Sequence, residues 1–289
     1  MSDGERTLAD TTGKFAQVVN DGRKVPDLEW ISGRILLSTK RILLVTNEGK
    51  RTLPLSKVRS VKGSGANQSL SKVSGYISVR VGDDVMLVSP TDSEIFESEL
   101  YDALLDQRVV FVNHPAVKGG VVQDTDWQQS RLTLGDDGEN VVDLATADGR
   151  FVEIDLDDIG TVEIDEKQVL DTQRQVVEVE HTIEGTSVET HISGPSRRVS
   201  ILASLFRSVA GDGGADIELT EREKEVLMAL YSGVSPFEIP DFVGIDVADV
   251  EEVFDQLIEK SVLEGVRTRR EVSLKARGRN IASEVISEQ

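Results

Sequence analysis

At 289 residues the chain is long enough for two or three compact domains, each with its own core, and too long for a single small one. It has no cysteine, which excludes a disulfide framework, a cysteine-based zinc site and a thiol nucleophile. A net charge of -20 and a pI near 4.6 are the solvated acidic composition of extreme halophiles, so a haloarchaeal source is expected.

The charge is uneven along the chain. Residues 13–72 carry 12 basic and 4 acidic side chains, whereas residues 124–191 carry 4 basic and 19 acidic ones. The polar start "MSDGERTLAD" and the lack of any apolar run near the roughly 18 residues of a membrane span predict a cytoplasmic protein without a transmembrane segment. Between Lys14 and Val88 short apolar or alternating runs, among them "WISGRILLSTKRILLVT" and "VMLVSP", follow one another too closely for intervening helices. They predict an antiparallel sheet. Asn20-Asp21-Gly22, Asn47-Glu48-Gly49 and Gly82-Asp83-Asp84 are its predicted hairpin turns. A helix follows in "TDSEIFESELYDALLDQ", with Thr91 and Glu94 as a capping box and Ile95, Phe96, Leu100, Ala103 and Leu104 as its apolar stripe.

The arrangement then repeats. "TLPLSKVRSV" aligns with "EIDLDDIGTV" at a constant offset of 101 residues, so Leu53, Leu55, Val58 and Val61 match Ile154, Leu156, Ile159 and Val162. The helical "SRRVSILASLFRSV" closes the second copy. Two sheets, each capped by a C-terminal helix, resemble tandem pleckstrin-homology-like domains, placed at 1–112 and 113–210, with a linker at 211–216.

From residue 217 the apolar period becomes helical. Thr220 and Glu223 form a capping box ahead of a stripe of Val226, Leu227, Leu230 and Tyr231, Ser235-Pro236 opens a short second helix, and Asp246 caps a third with Val250, Val253, Phe254, Leu257 and Ile258 buried. "LEGVRTRREVSLKA" predicts a two-stranded wing and Ile281 and Val285 a terminal helix, making 217–289 a winged helix-turn-helix domain in a mainly β chain with α. Its opening resembles the LuxR-type DNA-binding motif at Leu219, Thr220, Arg222, Glu223, Val226, Leu227, Gly233, Glu238 and Ile239. Pro240 is expected to break the second helix. The third helix carries Asp246, Asp249, Glu251, Glu252, Asp255 and Glu259 against Lys260, a sign that phosphates repel.

Candidate contact residues are therefore the basic ones. The wing supplies Arg267, Arg269, Arg270, Lys275, Arg277 and Arg279, and the first domain supplies Lys40, Arg41, Lys57 and Arg59, all for docking a carboxylate-rich or phosphorylated protein. With Lys50 and Arg51 the first-domain set is also the candidate for an anionic membrane. "GSGANQSLSK" has the spacing of a phosphate loop for three residues, but Gln68 stands at the third glycine position, so a loop between strands is expected. His181 and His191 lie on neighbouring strands and are expected to share a face, with His114 remote; as unsupported imidazoles they make no metal site. No nucleophile, base and orienting group come together, so no enzyme and no cofactor are expected.

Acidic composition, the sheet-and-helix repeat and the terminal helical domain, with the local texture of "GRILLSTKRILLVT", "RRVSILASLFRSV" and "LTEREKEVLMALYSGV", resemble the archaeal taxis-protein family CheF. The resemblance implies an adaptor linking the chemotaxis system to the archaellum motor. It also implies phosphorylated CheY, CheC and CheD proteins and archaellum accessory proteins as partners, and a cytoplasmic place peripheral to the motor. The alternatives left open are a winged-helix transcription regulator and a membrane-associated binding module.

Overall fold

The structure, a computed structural model, describes residues 4–63, 75–135, 139–210, 219–260 and 262–263. The chain divides into one unit of residues 1–215 and a second of 216–289.

The first unit is mainly β with two helices. β1 (Thr7–Asn20) and the short β2 (Arg23–Lys24) are followed by β3 (Ile31–Ser38), β4 (Arg41–Val45) and β5 (Lys50–Pro54). A 3-10 turn, Leu55–Lys57, leads to β6 (Val58–Lys62), β7 (Ile77–Val81), β8 (Asp84–Pro90) and helix α1 (Ser93–Leu105). These strands form one antiparallel sheet in the order β5-β4-β3-β1-β8-β7-β6, with β2 on the end of β1. The second half repeats that order. β9 (Arg108–Lys118), β10 (Val121–Val122), β11 (Gln128–Leu134), β12 (Val141–Thr146), β13 (Phe151–Asp155), a 3-10 turn at Leu156–Asp158, β14 (Ile159–Val169), β15 (Thr172–Ile183) and β16 (Thr186–Ser193) form a sheet in the order β13-β12-β11-β9-β16-β15-β14. Helix α2 (Ser196–Val209) ends it. The 3-10 turns are 101 residues apart, and in both copies the strand after the turn has a register shift. The curled antiparallel sheets with closing helices fit the pleckstrin-homology-like expectation.

The long β1 pairs with β3 over residues 7–15 and with β8 over residues 13–19, and β9 pairs with β11 over 108–112 and with β16 over 111–118, so each long strand carries the curled sheet from one part to the other. In the first sheet the bend is tight where Gly13 faces Gly33, since a Cβ on either would stand 2.3 Å from a carbonyl oxygen, that of Ser89 or of Val45. Alternation then sends one face inward. Ile35, Leu37, Ile42, Leu44 and Leu53 are buried from the first sheet, and Val110, Val112, Leu132, Leu144 and Ile154 from the second. These residues and α1 and α2 form one continuous apolar cluster, so both sheets share a core.

Some expectations are corrected here. β1 begins at Thr7, before the predicted first strand. Thr91 does not cap α1: its hydroxyl donates to the Thr12 carbonyl at 2.8 Å, tying it to β1, and Asp92 takes the N-cap position without a side-chain bond to the helix. Ile95 points outward, and Tyr101 and Leu105 complete the buried face of α1. Val162 is partly buried where Val61 is fully so.

The second unit contains α3 (Glu221–Tyr231), α4 (Ile239–Val243) and α5 (Val247–Glu259) around Val226, Ala229, Ile239, Val250, Val253 and Leu257. The Thr220–Glu223 capping box is present, and Glu223, fully buried, also pairs with Lys260 at 2.6 Å. Pro240 does not break the second helix. It lies in the first turn of α4, where the missing N–H costs no bond, and Gly244 ends that helix in a left-handed conformation. Tyr231 and Ile258 face outward, and Ala229 takes the inward place in α3. The predicted wing with its six basic residues, the terminal helix, the linker and most of the "GSGANQSLSK" loop lie outside the described residues.

Candidate functional site

α2 opens with Ser196, Arg197 and Arg198 and no acidic residue in its first turn. Cations are disfavoured at a helix N-terminus, where the backbone dipole is positive. Two arginines there call for partners elsewhere, and they have them. Arg197 Nη2 donates to the carbonyl of Leu55 at 2.6 Å and its Nε to that of Val58, so this guanidinium holds the 3-10 turn of the first sheet. Arg198 donates to the carbonyl of Val109 on β9. Burial, followed by the charge of Arg108, holds both guanidiniums below the usual arginine range, and they remain cationic.

This clamp builds the wall of a cleft of about 600 Å³ lined by Ser56, Lys57, Arg59, Gly82, Ser196, Arg197 and Ser200. Lys57 and Arg59 enter from the first sheet, Arg197 from α2. Among the described residues that line it, Arg59 has a loose contact with Asp83 at 3.9 Å. The cleft is thus a cationic concavity on a molecule of net charge -20.

Of the four described basic candidates, Lys57 and Arg59 meet here. Arg41 is committed to the fold: its Nε and Nη2 each donate at 2.8 Å to the buried Glu5 carboxylate, which also accepts from Ser38. Lys40 adjoins the 3-10 turn through its carbonyl, which accepts from Leu55 N at 2.9 Å. Arg51, a membrane candidate, pairs with Asp84 at 3.1 Å and with Gln17.

The chain's three histidines all lie on β9, β15 and β16, but not as expected. His181 and His191 are on opposite faces, because His181 pairs with Val188 and His191 with Glu178 in a ladder whose side chains alternate. His114 instead joins His181. His114 Nδ1 lies 2.7 Å and His181 Nε2 2.8 Å from the hydroxyl of fully buried Thr190, and the rings stack at 6.0 Å. One hydroxyl can donate to one ring nitrogen while accepting from the N–H of the other, so the trio is satisfied with both rings neutral. Burial lowers both histidines, His114 to about 4 with help from the charge of His181.

The unfolded chain therefore takes up these protons first as pH falls. The stability that neutral His114 contributes is complete above about 6.5 and is lost as pH drops towards about 4. We expect this loss to be about 2 kcal/mol, allowing for water at the partly exposed ring, and a His114→Gln variant to show a shallower decline over that window in urea titrations. Equal slopes would contradict the assignment.

On the outer face, Glu178, Glu189 and His191 bring ligand atoms within 4.8 Å of one another. Lys167 stands 2.8 Å from Glu178 and His191 is hydrogen-bonded to Glu189, so the group is a charge-compensated network and a poor cradle for a cation. A second cleft, of about 540 Å³ and lined by Glu94, Glu97, Asp102 and Glu139, has the sign of the acidic surface around it. In the second unit, Asp249, Glu251, Glu252 and Asp255 are exposed along α5.

Residues 7–212 match the family described as archaeal chemotaxis signal transduction system protein F, which covers well over half of the chain. The chain belongs to the CheF family. Among curated relatives it is 50% identical to taxis protein CheF1 of Halobacterium salinarum and 25% identical to taxis protein CheF2 of the same organism, over 100% and 98% of both partners respectively. The expected family and haloarchaeal kinship are thus met, and the chain is a taxis signal transduction protein. Residues 218–287 match a domain family of unknown function. Among solved structures, the pleckstrin homology domain of ArhGAP27 aligns at 13% identity and a TM-score of 0.27, over 33% of this chain and 99% of that one. Among the described residues no helix is long and apolar enough to cross a membrane.

Proposed function

We propose that this CheF-family chain is a non-enzymatic adaptor that passes the state of the response regulator CheY to the archaellum motor switch. The observation that carries the reading is full-length kinship with taxis proteins, in a chain that offers cationic binding surface against an acidic background. CheC and CheD proteins and archaellum accessory proteins are further partners in this reading, and the working place is the cytoplasmic side of the motor. The wing's basic residues, Arg267, Arg269, Arg270, Lys275, Arg277 and Arg279, belong to the proposed contact set together with Lys40, Lys57 and Arg59, while Arg41 is held by Glu5. A pleckstrin-homology-like sheet and a helical tail need no active site for this task. Specific DNA binding is disfavoured by the exposed carboxylates of α5, which would face phosphates.

The test is binding of purified CheY, with and without a phosphoryl mimic, in multimolar KCl. Tighter binding of the activated form is expected. Absence of binding in both forms would refute the adaptor, and turnover of phosphorylated CheY that a point substitution abolishes while binding persists would show an enzyme instead.

A further inference from the structure

The basic cleft of the first unit has a shape and a charge pattern that narrow its occupant. Its cations come from two walls, Lys57 and Arg59 on the turn and strand of the first sheet and Arg197 on α2. Arg108 and Arg198 continue the positive potential beyond Arg197, since the charge of Arg108 acts on both α2 arginines. Three serine hydroxyls, of Ser56, Ser196 and Ser200, complete a donor-rich lining.

A single small anion would leave most of a 600 Å³ cleft and the outlying arginines unused. A bilayer could offer the concavity only single headgroups, which again leave the outlying arginines unused. Duplex nucleic acid would have to lie against the acidic remainder of a chain of charge -20. An extended acidic ridge on a folded protein meets all the cations at once. In multimolar salt the Debye length is below about 3 Å, so charges steer nothing from a distance and only contacts from which water and salt are excluded hold. A cleft provides such contacts where a flat patch does not.

We propose that the cleft between the Leu55–Arg59 segment and the first turn of α2 docks a carboxylate-rich ridge of an acidic protein partner. The inference rests on the adaptor reading and assigns its regulator contact to this cleft. Lys57 and Arg59 provide movable cations for partner carboxylates, and Arg197, already engaged on the carbonyls of Leu55 and Val58, is a fixed wall. The approach of partner carboxylates draws Arg59 from its loose contact with Asp83.

The experiment compares the full chain with two double variants in multimolar KCl, using CheY from the same organism as the probe. Lys57→Glu with Arg59→Glu reverses the cleft. Arg23→Glu with Lys24→Glu makes the same charge change on the exposed β2. The cleft variant is expected to weaken binding by about tenfold or more and the β2 variant by less than about twofold. Carbodiimide coupling should in addition join the Lys57 amine to a CheY carboxylate in the wild-type complex, a readout that needs no altered protein. Unchanged binding by the cleft variant, or an equal loss in both variants, overturns the cleft and leaves the adaptor reading standing. No binding by the wild-type chain removes both. Pelleting with anionic ether-lipid vesicles that the cleft variant loses while it keeps CheY would give the cleft to a membrane and overturn the proposal.

Discussion

Replacing Phe206 with alanine is expected to cost the first unit about 3–5 kcal/mol, the range for deleting a fully enclosed aromatic ring. Phe206 is 0% exposed on α2, within the cluster that joins both sheets. The void opens in the shared core, so both halves should lose stability together. The chain's two tryptophans, Trp30 and Trp127, precede the strands β3 and β11 and can report each half separately. With Trp30→Phe and Trp127→Phe backgrounds, denaturant midpoints read from the remaining tryptophan should shift equally on Phe206→Ala. A shift in the Trp127 signal alone would show that the halves unfold independently and that the cluster is not one core.

Thr190→Val should cost about 2–4 kcal/mol. The substitution nearly preserves shape and removes one hydroxyl, but that hydroxyl serves the two histidine rings at once. The buried His181 is left with an unsatisfied nitrogen at about 1–3 kcal/mol, and the partly exposed His114 adds a smaller loss. Thr190→Ser keeps the hydroxyl and should recover most of the loss. A greater loss for serine than for valine would mean that the methyl group, not the hydrogen bonds, matters.

The repeat was legible because the apolar spacing of Leu53, Leu55, Val58 and Val61 survives 101 residues later, and the 3-10 turns obey that spacing. The first half of β1 was not legible. "TLADTTG" has no apolar alternation, and the strand is held by backbone pairing with β3 and β8. The expectation that His181 and His191 share a face leaves out the turn between their strands. A two-residue turn at Glu184-Gly185 sets the pairing of β15 with β16 and puts residues 181 and 191 out of phase. Pro240 would break a helix from its middle, but at the helix start where it stands it is favourable.

The cleft was half legible. Lys57 and Arg59 stand out in a basic segment, but Arg197 and Arg198 are about 140 residues away and read as the start of an amphipathic helix. The available clue was their sign: two cations in a first helical turn contradict the dipole, and such a local conflict points to a tertiary reason.

The shared core also bears on how such a chain can change over evolutionary time. A duplicated module that keeps its own interior can be exchanged, lost or multiplied without regard to its twin. Here Phe96 of α1 and Phe206 of α2 lie in the same interior, and Arg197 of the second copy holds a turn of the first. A drifting side chain in one half would have to be answered by a side chain in the other. Paralogues should therefore differ by paired substitutions across the halves, and a chimera joining the first half of one relative to the second half of another should fold less well than either parent.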